Sequence, residues 1–461
     1  MKLLEIEVKG LFGTFNHIIP LAFSDRVTII HGPNGYGKTM MLKMISSLIV
    51  GRLSIFASVP FEEFIARLDN GSTIYVRPPE PLSKKKDAIR KASIIVKDQQ
   101  GNELSAVEVA KPELPRHVLD GIDRFIPSPF SRTGGGWVNT NTSELYSVDQ
   151  ILDRFPSVIT HLPEKYRTIP IPLFEGLEVF FVETKRLDAE ISTRSMDTRL
   201  HQELDFFEDE DAPVQSKSLR VEQYSKDIVQ RIKAALGNYA RSSQERDRTF
   251  PERLVRFIRD GNRPLPEKEI VRLMEELETK RQRLISFGFL DSEVGLHGLT
   301  EDDVRRAAEA LTIYVDDVKL KLAVFDDLAD RVGRLMDIVN DRFKYKTLTL
   351  QREYGFRLRS TAGEPVKIEE LSSGEQHELV VLYELLFRAP KNGLVLVDEP
   401  EISLHVAWQS RFLKDLMGIL ALTDSYGIVA THSPVIIGTR WDITKELSGP
   451  ELVDDGGIDA R

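Results

Sequence analysis

The stretch His31-Gly32-Pro33-Asn34-Gly35-Tyr36-Gly37-Lys38-Thr39 constrains this chain more than any other, because residues 32–39 fit G-x-x-x-x-G-K-[ST]. The preceding residues 26–30 (Arg-Val-Thr-Ile-Ile) are largely apolar and β-branched and predict a buried strand, and residues 40–45 open a helix-forming run. Strand, glycine-rich loop and helix, in that order, is the context of a phosphate-binding loop. Gly32, Gly35 and Gly37 let the backbone around Asn34 turn its N–H groups onto phosphate oxygens, and the helix N-terminus adds partial positive charge. Lys38 would reach the β- and γ-phosphates of a nucleotide, and the Thr39 hydroxyl would ligate Mg²⁺.

A chain of 461 residues is long enough for two or three domains, and 41% apolar with 29% charged residues is an ordinary globular balance. No run of 18 apolar residues occurs, so no membrane span is expected. The first eight residues carry acids where a secretory signal would be apolar, and read as a first strand. With no cysteine there is no disulfide framework, thiolate metal site or thiol nucleophile, which points to the cytoplasm. A net charge of −10 argues against a wholly basic, nucleic-acid-coating surface.

Residues 72–76 and 92–96 read as strands of an antiparallel layer, with Lys84-Lys85-Lys86 at a hairpin tip between them. Pro129, three consecutive glycines and Asn139-Thr140-Asn141-Thr142 make residues 129–148 read as a mobile loop, and Glu208-Asp209-Glu210-Asp211 as a solvated linker. Across residues 219–343 apolar positions recur every three or four residues among charges, predicting several helices broken at Pro251, Pro264, Pro266 and between Gly288 and Gly298. A hairpin is expected over residues 354–368.

Three further patterns stand near the C-terminus. Gly393-Leu394-Val395-Leu396-Val397-Asp398-Glu399 is an apolar strand ending in two acids. Beside a phosphate-binding loop, Asp398 suits a Mg²⁺ ion or its water, and Glu399 suits the orientation or deprotonation of an attacking water. Leu371-Ser372-Ser373-Gly374-Glu375 precedes a helix-forming run, and reads either as a second phosphate-binding N-terminus or as an ordinary helix cap. Residues 426–434 form a strand ending in His432, placed to hydrogen-bond a γ-phosphate.

As an ordered set these motifs resemble those of ATP-binding-cassette (ABC) ATPases, in the branch of the structural-maintenance, double-strand-break-repair and recombination-mediator ATPases. Residues 32–39 match its Walker A, 371–375 its signature (Ser373 standing where many members have Gly), 394–399 its Walker B, 400–405 its D-loop and His432 its switch histidine. The Q-loop position, residues 182–186, holds no Gln, and Phe12 occupies a region where the branch often has an Arg near the adenine. Residues 398–409 and the compact insertion are similar to ATPases of bacterial anti-phage systems. These include overcoming-lysogenization-defect nucleases, Septu ATPases and, best by size, the ATPase partner of the phage anti-restriction-induced system. The chain ends soon after His432, without room for the Toprim nuclease of the first group, and lacks the Cys-x-x-Cys hook of double-strand-break-repair proteins.

The resemblance implies an α/β P-loop NTPase fold of ABC-ATPase type with a mixed sheet, an antiparallel β layer and a helical insertion. The expected domains are an N-terminal lobe over residues 1–200, the insertion over 219–345 and a C-terminal lobe over 346–461. It also implies a homodimer, or a higher homo-oligomer, in which each ATP with its Mg²⁺ lies between two heads. Asn34, Gly35, Gly37, Lys38 and Thr39 of one copy would face Ser372, Ser373 and Gly374 of the other, with Thr39 and Asp398 on the metal and Glu399 and His432 catalytic. Such clamping would gate a separately encoded effector such as a Toprim nuclease, triggered by a phage protein, with no nuclease activity in the chain itself. The rival expectation is a DNA-repair or chromosome-organising clamp that binds DNA directly; the insertion speaks against a transporter cassette.

Overall fold

The structure is a computed structural model that describes residues 1–51, 55–78, 91–110, 116–126, 130–134, 136–140, 145–146, 148, 151, 176–183, 216–291, 299–402, 404, 406–447 and 449. The lysine run at 84–86, the acidic stretch at 208–211, Q-loop residues 184–186, Ser403 and His405 lie outside them. Two compact units emerge, Met1–Val214 with Arg388–Arg461, and Gln215–Phe387. The segment that contains the expected signature sequence therefore groups with the helices, not with the C-terminal segment.

In the first unit Val27–His31 (β3), Leu394–Asp398 (β15) and Tyr426–Thr431 (β16) are almost wholly buried. Such runs have no polar face to offer water, so they need cover on both sides and suit a parallel sheet. With Val179–Glu183 (β11) and Thr444–Glu446 (β17) they form a five-stranded sheet of order β11-β15-β16-β3-β17, in which every pairing is parallel. Register sets Asp398 beside Ala430 and Thr431 beside His31. Three strand ends that carry chemistry therefore leave the sheet along one carboxyl edge, where open parallel sheets bind ligands.

Leu3–Leu11 (β1), Phe15–Pro20 (β2), Glu63–Leu68 (β4), Thr73–Arg77 (β5), Lys91–Lys97 (β6) and Glu103–Ala110 (β7) form a separate antiparallel sheet of order β2-β1-β4-β5-β6-β7. The expected antiparallel layer is thus a sheet of its own, and the phosphate-loop sheet, expected to be mixed, is parallel in its described pairings. The reason lies in the patterning: β1 alternates, burying Ile6 and Val8 while Glu5, Glu7 and Lys9 pair with Arg67 and Glu63 on the other face. Lys38–Val50 (α1) shares a core with both sheets, its Met41, Ile45 and Leu48 joining Ile6, Val8 and Phe64 on one side and Leu396 and Ile428 on the other.

The expected mobile loop at 129–148 is corrected as well. Phe130–Thr133 (β8), Gly136–Asn139 (β9) and Leu145–Tyr146 (β10) form a small antiparallel sheet in the order β10-β9-β8. Trp137 drives it: the ring is fully buried with Val118, Ile122 and Tyr146, and its Nε1–H donates to Asp123 Oδ1 at 2.6 Å. Burying one indole with its N–H satisfied outweighs the local turn signals.

The second unit holds Ser216–Arg259 (α2), Glu267–Ser286 (α3), Ala308–Ala323 (α4), Asp326–Arg342 (α5), the hairpin strands Lys346–Gln351 (β12), Gly355–Ser360 (β13) and Pro365–Val366 (β14), and Ser373–Tyr383 (α6). The 44-residue α2 runs on through Pro251, where a break was expected. Side chains support the backbone there: Thr249 Oγ1 donates to Glu245 O at 2.9 Å and Arg253 Nη2 to Arg246 O at 2.9 Å. Arg246 and Arg253 also both pair with Asp317 of α4, whose side chain is 4% exposed.

Arg342, at the end of α5, pairs with Glu378 of α6, with side chains 3% and 1% exposed. Removing one partner of a buried pair strands the other charge, so Glu378→Ala is expected to cost about 3–5 kcal/mol. Urea denaturation would read this as a lower midpoint; an unchanged midpoint would mean that the pair does not hold α6.

Candidate functional site

The glycine-rich loop begins where β3 ends and closes at Gly37, the N-cap of α1. Gly32, Gly35 and Gly37 have φ of 151°, 90° and 88°, in the region that L side chains rarely adopt. Gly37 admits nothing larger on two counts, since a Cβ there would stand 2.5 Å from Leu11 Cδ2. The loop is also tied from outside: His17, on β2, lies with Nε2 3.0 Å from the carbonyl oxygen of Tyr36. A carbonyl only accepts, so Nε2 carries the proton. Burial holds the His17 pKa below its ordinary value, partly offset by that hydrogen bond, so the ring stays neutral there.

Lys38 is buried, and its Nζ donates to Gly32 O at 2.7 Å and Pro33 O at 3.0 Å. The ammonium thus lies inside the curl of the loop, where phosphate charge would be met. Thr39 turns the other way, and its Oγ1 donates to Asp398 Oδ1 at 3.1 Å and Oδ2 at 2.9 Å. This bond spans 359 positions of sequence and joins the loop to the end of β15. Hydroxyl and carboxylate are hard oxygen donors, and two of them converging at a phosphate loop match what Mg²⁺ takes from a protein, the other positions being filled by water and phosphate. Among the described residues no group of three or more His, Cys, Asp or Glu could hold a metal by itself.

Glu399 is buried directly after Asp398, with φ +46° and its N–H donating to Ala430 O at 2.8 Å. A left-handed conformation at a non-glycine residue costs about 1–3 kcal/mol and persists where surroundings over-determine it, often at functional sites. Here the strained residue follows directly on the acid suited to a metal. His432 follows the neighbouring strand β16. Its backbone N–H donates to Glu401 Oε1 at 2.8 Å, and its Nδ1 lies 2.8 Å from the same oxygen. Glu401 is a residue that the sequence reading placed in the D-loop but gave no role; its signal is only an acid two positions past Glu399.

Lys38, Thr39, Asp398, Glu399 and His432 therefore meet in one unit. Ser372, Ser373 and Gly374 lie in the other, at the start of α6. Ser372 is its N-cap, accepting from Glu375 N at 3.3 Å while Glu375 Oε2 accepts from Ser372 N at 2.8 Å. Lys346 of β12 holds the Glu375 carboxylate at 2.7 and 3.0 Å. Burial alone would raise the Glu375 pKa, but Lys346 and Ser372 together hold it below the usual carboxylate value. Ser372 and Ser373 are exposed, and a Cβ on Gly374 would meet nothing within 4 Å.

Residues 145–438 match the family model described as "AAA domain, putative AbiEii toxin, Type IV TA system". The match takes in Ser372, Asp398, Glu399 and His432, while the glycine-rich loop lies before it. A 67-residue stretch is 39% identical to Protein ea59 of Escherichia phage lambda, covering 14% of this chain and 13% of that protein. The chain thus aligns with only about an eighth of that curated relative. Among solved structures, it is similar to the Smc head domain with an extended coiled coil bound to the C-terminal domain of ScpA from Pyrococcus furiosus, at 15% identity over 94% of this chain and 90% of that one, TM-score 0.33. The SMC head domain from Thermotoga maritima matches at 13% identity over 97% and 95%, TM-score 0.32.

Proposed function

The chain belongs to the AAA-domain family described as putative AbiEii toxin, Type IV TA system, a family of P-loop ATPases, and from that membership we propose that it binds and hydrolyses Mg²⁺–ATP as an ABC-type homodimer whose cycle gates a separately encoded effector in anti-phage defence. The observation that carries the ATPase reading is the Thr39–Asp398 hydrogen bond, with Lys38, Glu399 and His432 around it. Lys38 would neutralise the β- and γ-phosphates, the N–H groups from Asn34 through Gly35 and Gly37 to Thr39 would cradle them, and Thr39 with Asp398 would hold the Mg²⁺. Glu399 takes a proton from the attacking water, and His432 meets the γ-phosphate. The defence assignment draws on the toxin–antitoxin name of the family and on the motif resemblance.

What supports dimerisation is the α6 N-terminus, a helix end of partial positive charge whose Ser372 and Ser373 are open to solvent. Ser372→Arg is expected to spare ATP binding and to lower turnover roughly a hundredfold, the scale for removing one transition-state donor. Mixed with Lys38→Ala, it would restore at most one intact site per dimer. Phosphate release with Mg²⁺ against EDTA, and light scattering with and without ATP, test the reading. Metal-independent turnover would remove the ATPase assignment, and normal turnover by Ser372→Arg would remove the head-to-head dimer. For the effector, the test is what co-purifies and leaves on hydrolysis. A chain that co-purifies with nothing, yet retards DNA in a gel only with ATP, would favour the DNA-clamp reading.

A further inference from the structure

We propose that Glu401 is a positioning residue for His432, fixing the tautomer and orientation of its ring so that Nε2 is the nitrogen offered to the nucleotide. The inference rests on the hydrolytic reading above, though its first observable does not. One carboxylate oxygen, Glu401 Oε1, lies 2.8 Å from both the backbone nitrogen and Nδ1 of His432. A carboxylate oxygen at that distance favours the tautomer with the proton on Nδ1, which leaves Nε2 turned away from Glu401. One carboxylate, on a side chain 7% exposed, thus faces both the backbone N–H and the ring of His432, while the imidazole itself is 47% exposed.

The grip is built into the turn that follows the two strand-end acids. Glu399 takes φ +46°, Pro400–Ile402 forms one 3₁₀ turn, and Ile402 N–H donates back to Glu399 O at 3.1 Å. Gln409, on Val406–Thr423 (α7), then closes the far side. Its Nε2 donates to Glu401 O at 3.1 Å and Leu404 O at 3.2 Å, and its Oε1 accepts from Ser433 Oγ at 3.4 Å. The segment carrying Asp398 and Glu399 and the segment carrying His432 are in this way one hydrogen-bonded body. With Nδ1 turned to Glu401, Nε2 is the ring nitrogen left facing away from the carboxylate. A ring free to rotate would spend part of its time offering the wrong nitrogen.

The full-length chain with ¹⁵N-labelled histidine gives the direct test, His432 being identified by the signal lost in His432→Ala. The wild-type signal should belong to the Nδ1–H tautomer and move toward Nε2–H in Glu401→Ala. In hydrolysis, Glu401→Ala should lower kcat about 10- to 100-fold, the usual cost of losing an outer partner, with KM for ATP held within about twofold. Glu401→Gln, whose amide oxygen still accepts both N–H groups, should recover most of that loss. The double variant Glu401→Ala/His432→Ala should be no slower than His432→Ala alone, because Glu401 acts only through the ring. An Nε2–H signal in the wild type, unchanged turnover in Glu401→Ala, or losses that add in the double variant would each overturn the inference. If the wild type hydrolyses no faster than Lys38→Ala, the hydrolytic reading falls by itself, and the tautomer measurement still decides whether Glu401 sets the ring.

Discussion

Lys38→Ala should leave the protein folded and without measurable ATP turnover. The ammonium sits inside the loop, donating to the carbonyls of Gly32 and Pro33. One charge-assisted hydrogen bond is worth about 1.5–3 kcal/mol, so losing the phosphate contact alone should weaken ATP binding roughly 10- to 150-fold. Turnover should fall further, because the charge that builds on the transferring phosphoryl group loses its nearest fixed cation. Folding should hardly notice. Pro33 is exposed and Gly32 half-buried, so water can take over at both carbonyls, and alanine is a good helix former at the start of α1. Titration with a fluorescent ATP analogue, phosphate release and a thermal melt together check this. Wild-type hydrolysis by the variant would end the P-loop assignment, and a collapsed melting temperature would mean that Lys38 serves the fold.

The parts of this molecule that the sequence discloses are those where chemistry restricts residue type at fixed spacing. Gly32, Gly35, Gly37, Lys38 and Thr39 are legible because positive φ, an ammonium held by the loop's own carbonyls and a hydroxyl bonded to Asp398 each leave few alternatives. The parallel strands at Val27–His31 and Leu394–Asp398 are legible because a strand buried on both faces has little choice but to be apolar. What stays hidden depends on partners distant in sequence. Nothing near Pro251 announces that Arg246 and Arg253 will both find Asp317, so the helix was expected to break. Nothing near Gly134 announces that Trp137 will be buried against Asp123, so a sheet was expected to be a loop. Glu401 is hidden for the same reason, since its partner His432 is 31 positions away and on another strand. Ser372 shows the reverse: the helix cap foreseen as the plainer alternative is present, with Glu375 and Lys346 behind it, and that cap leaves the phosphate-binding role open to the mixing experiment.

Glu399→Gln separates hydrolysis from clamping, and its effect should be large in one quantity and small in another. Glutamine keeps the volume of the side chain and a carbonyl acceptor but loses the basic carboxylate. General-base catalysis is worth about 10²–10⁴ in rate, so turnover should fall by that order. Binding should survive, because Lys38, Thr39 and Asp398 are untouched, and it should tighten somewhat as a negative charge leaves the neighbourhood of the γ-phosphate. The left-handed turn at Glu399 is no obstacle to the exchange, since its N–H bond to Ala430 O belongs to the backbone and glutamine meets the same φ requirement as glutamate. If hydrolysis opens the dimer, the variant should accumulate in the closed, ATP-loaded form that Lys38→Ala never reaches. Light scattering under ATP would then place the two inactive variants at opposite ends, one dimeric and one not. Their effects on an effector would diverge too: where the closed form restrains it, Glu399→Gln should retain it, and where closure releases it, expression of the variant should be toxic. Equal loss of ATP binding and the same assembly state in both variants would make Glu399 a structural residue of the β15 turn and remove it from the reaction.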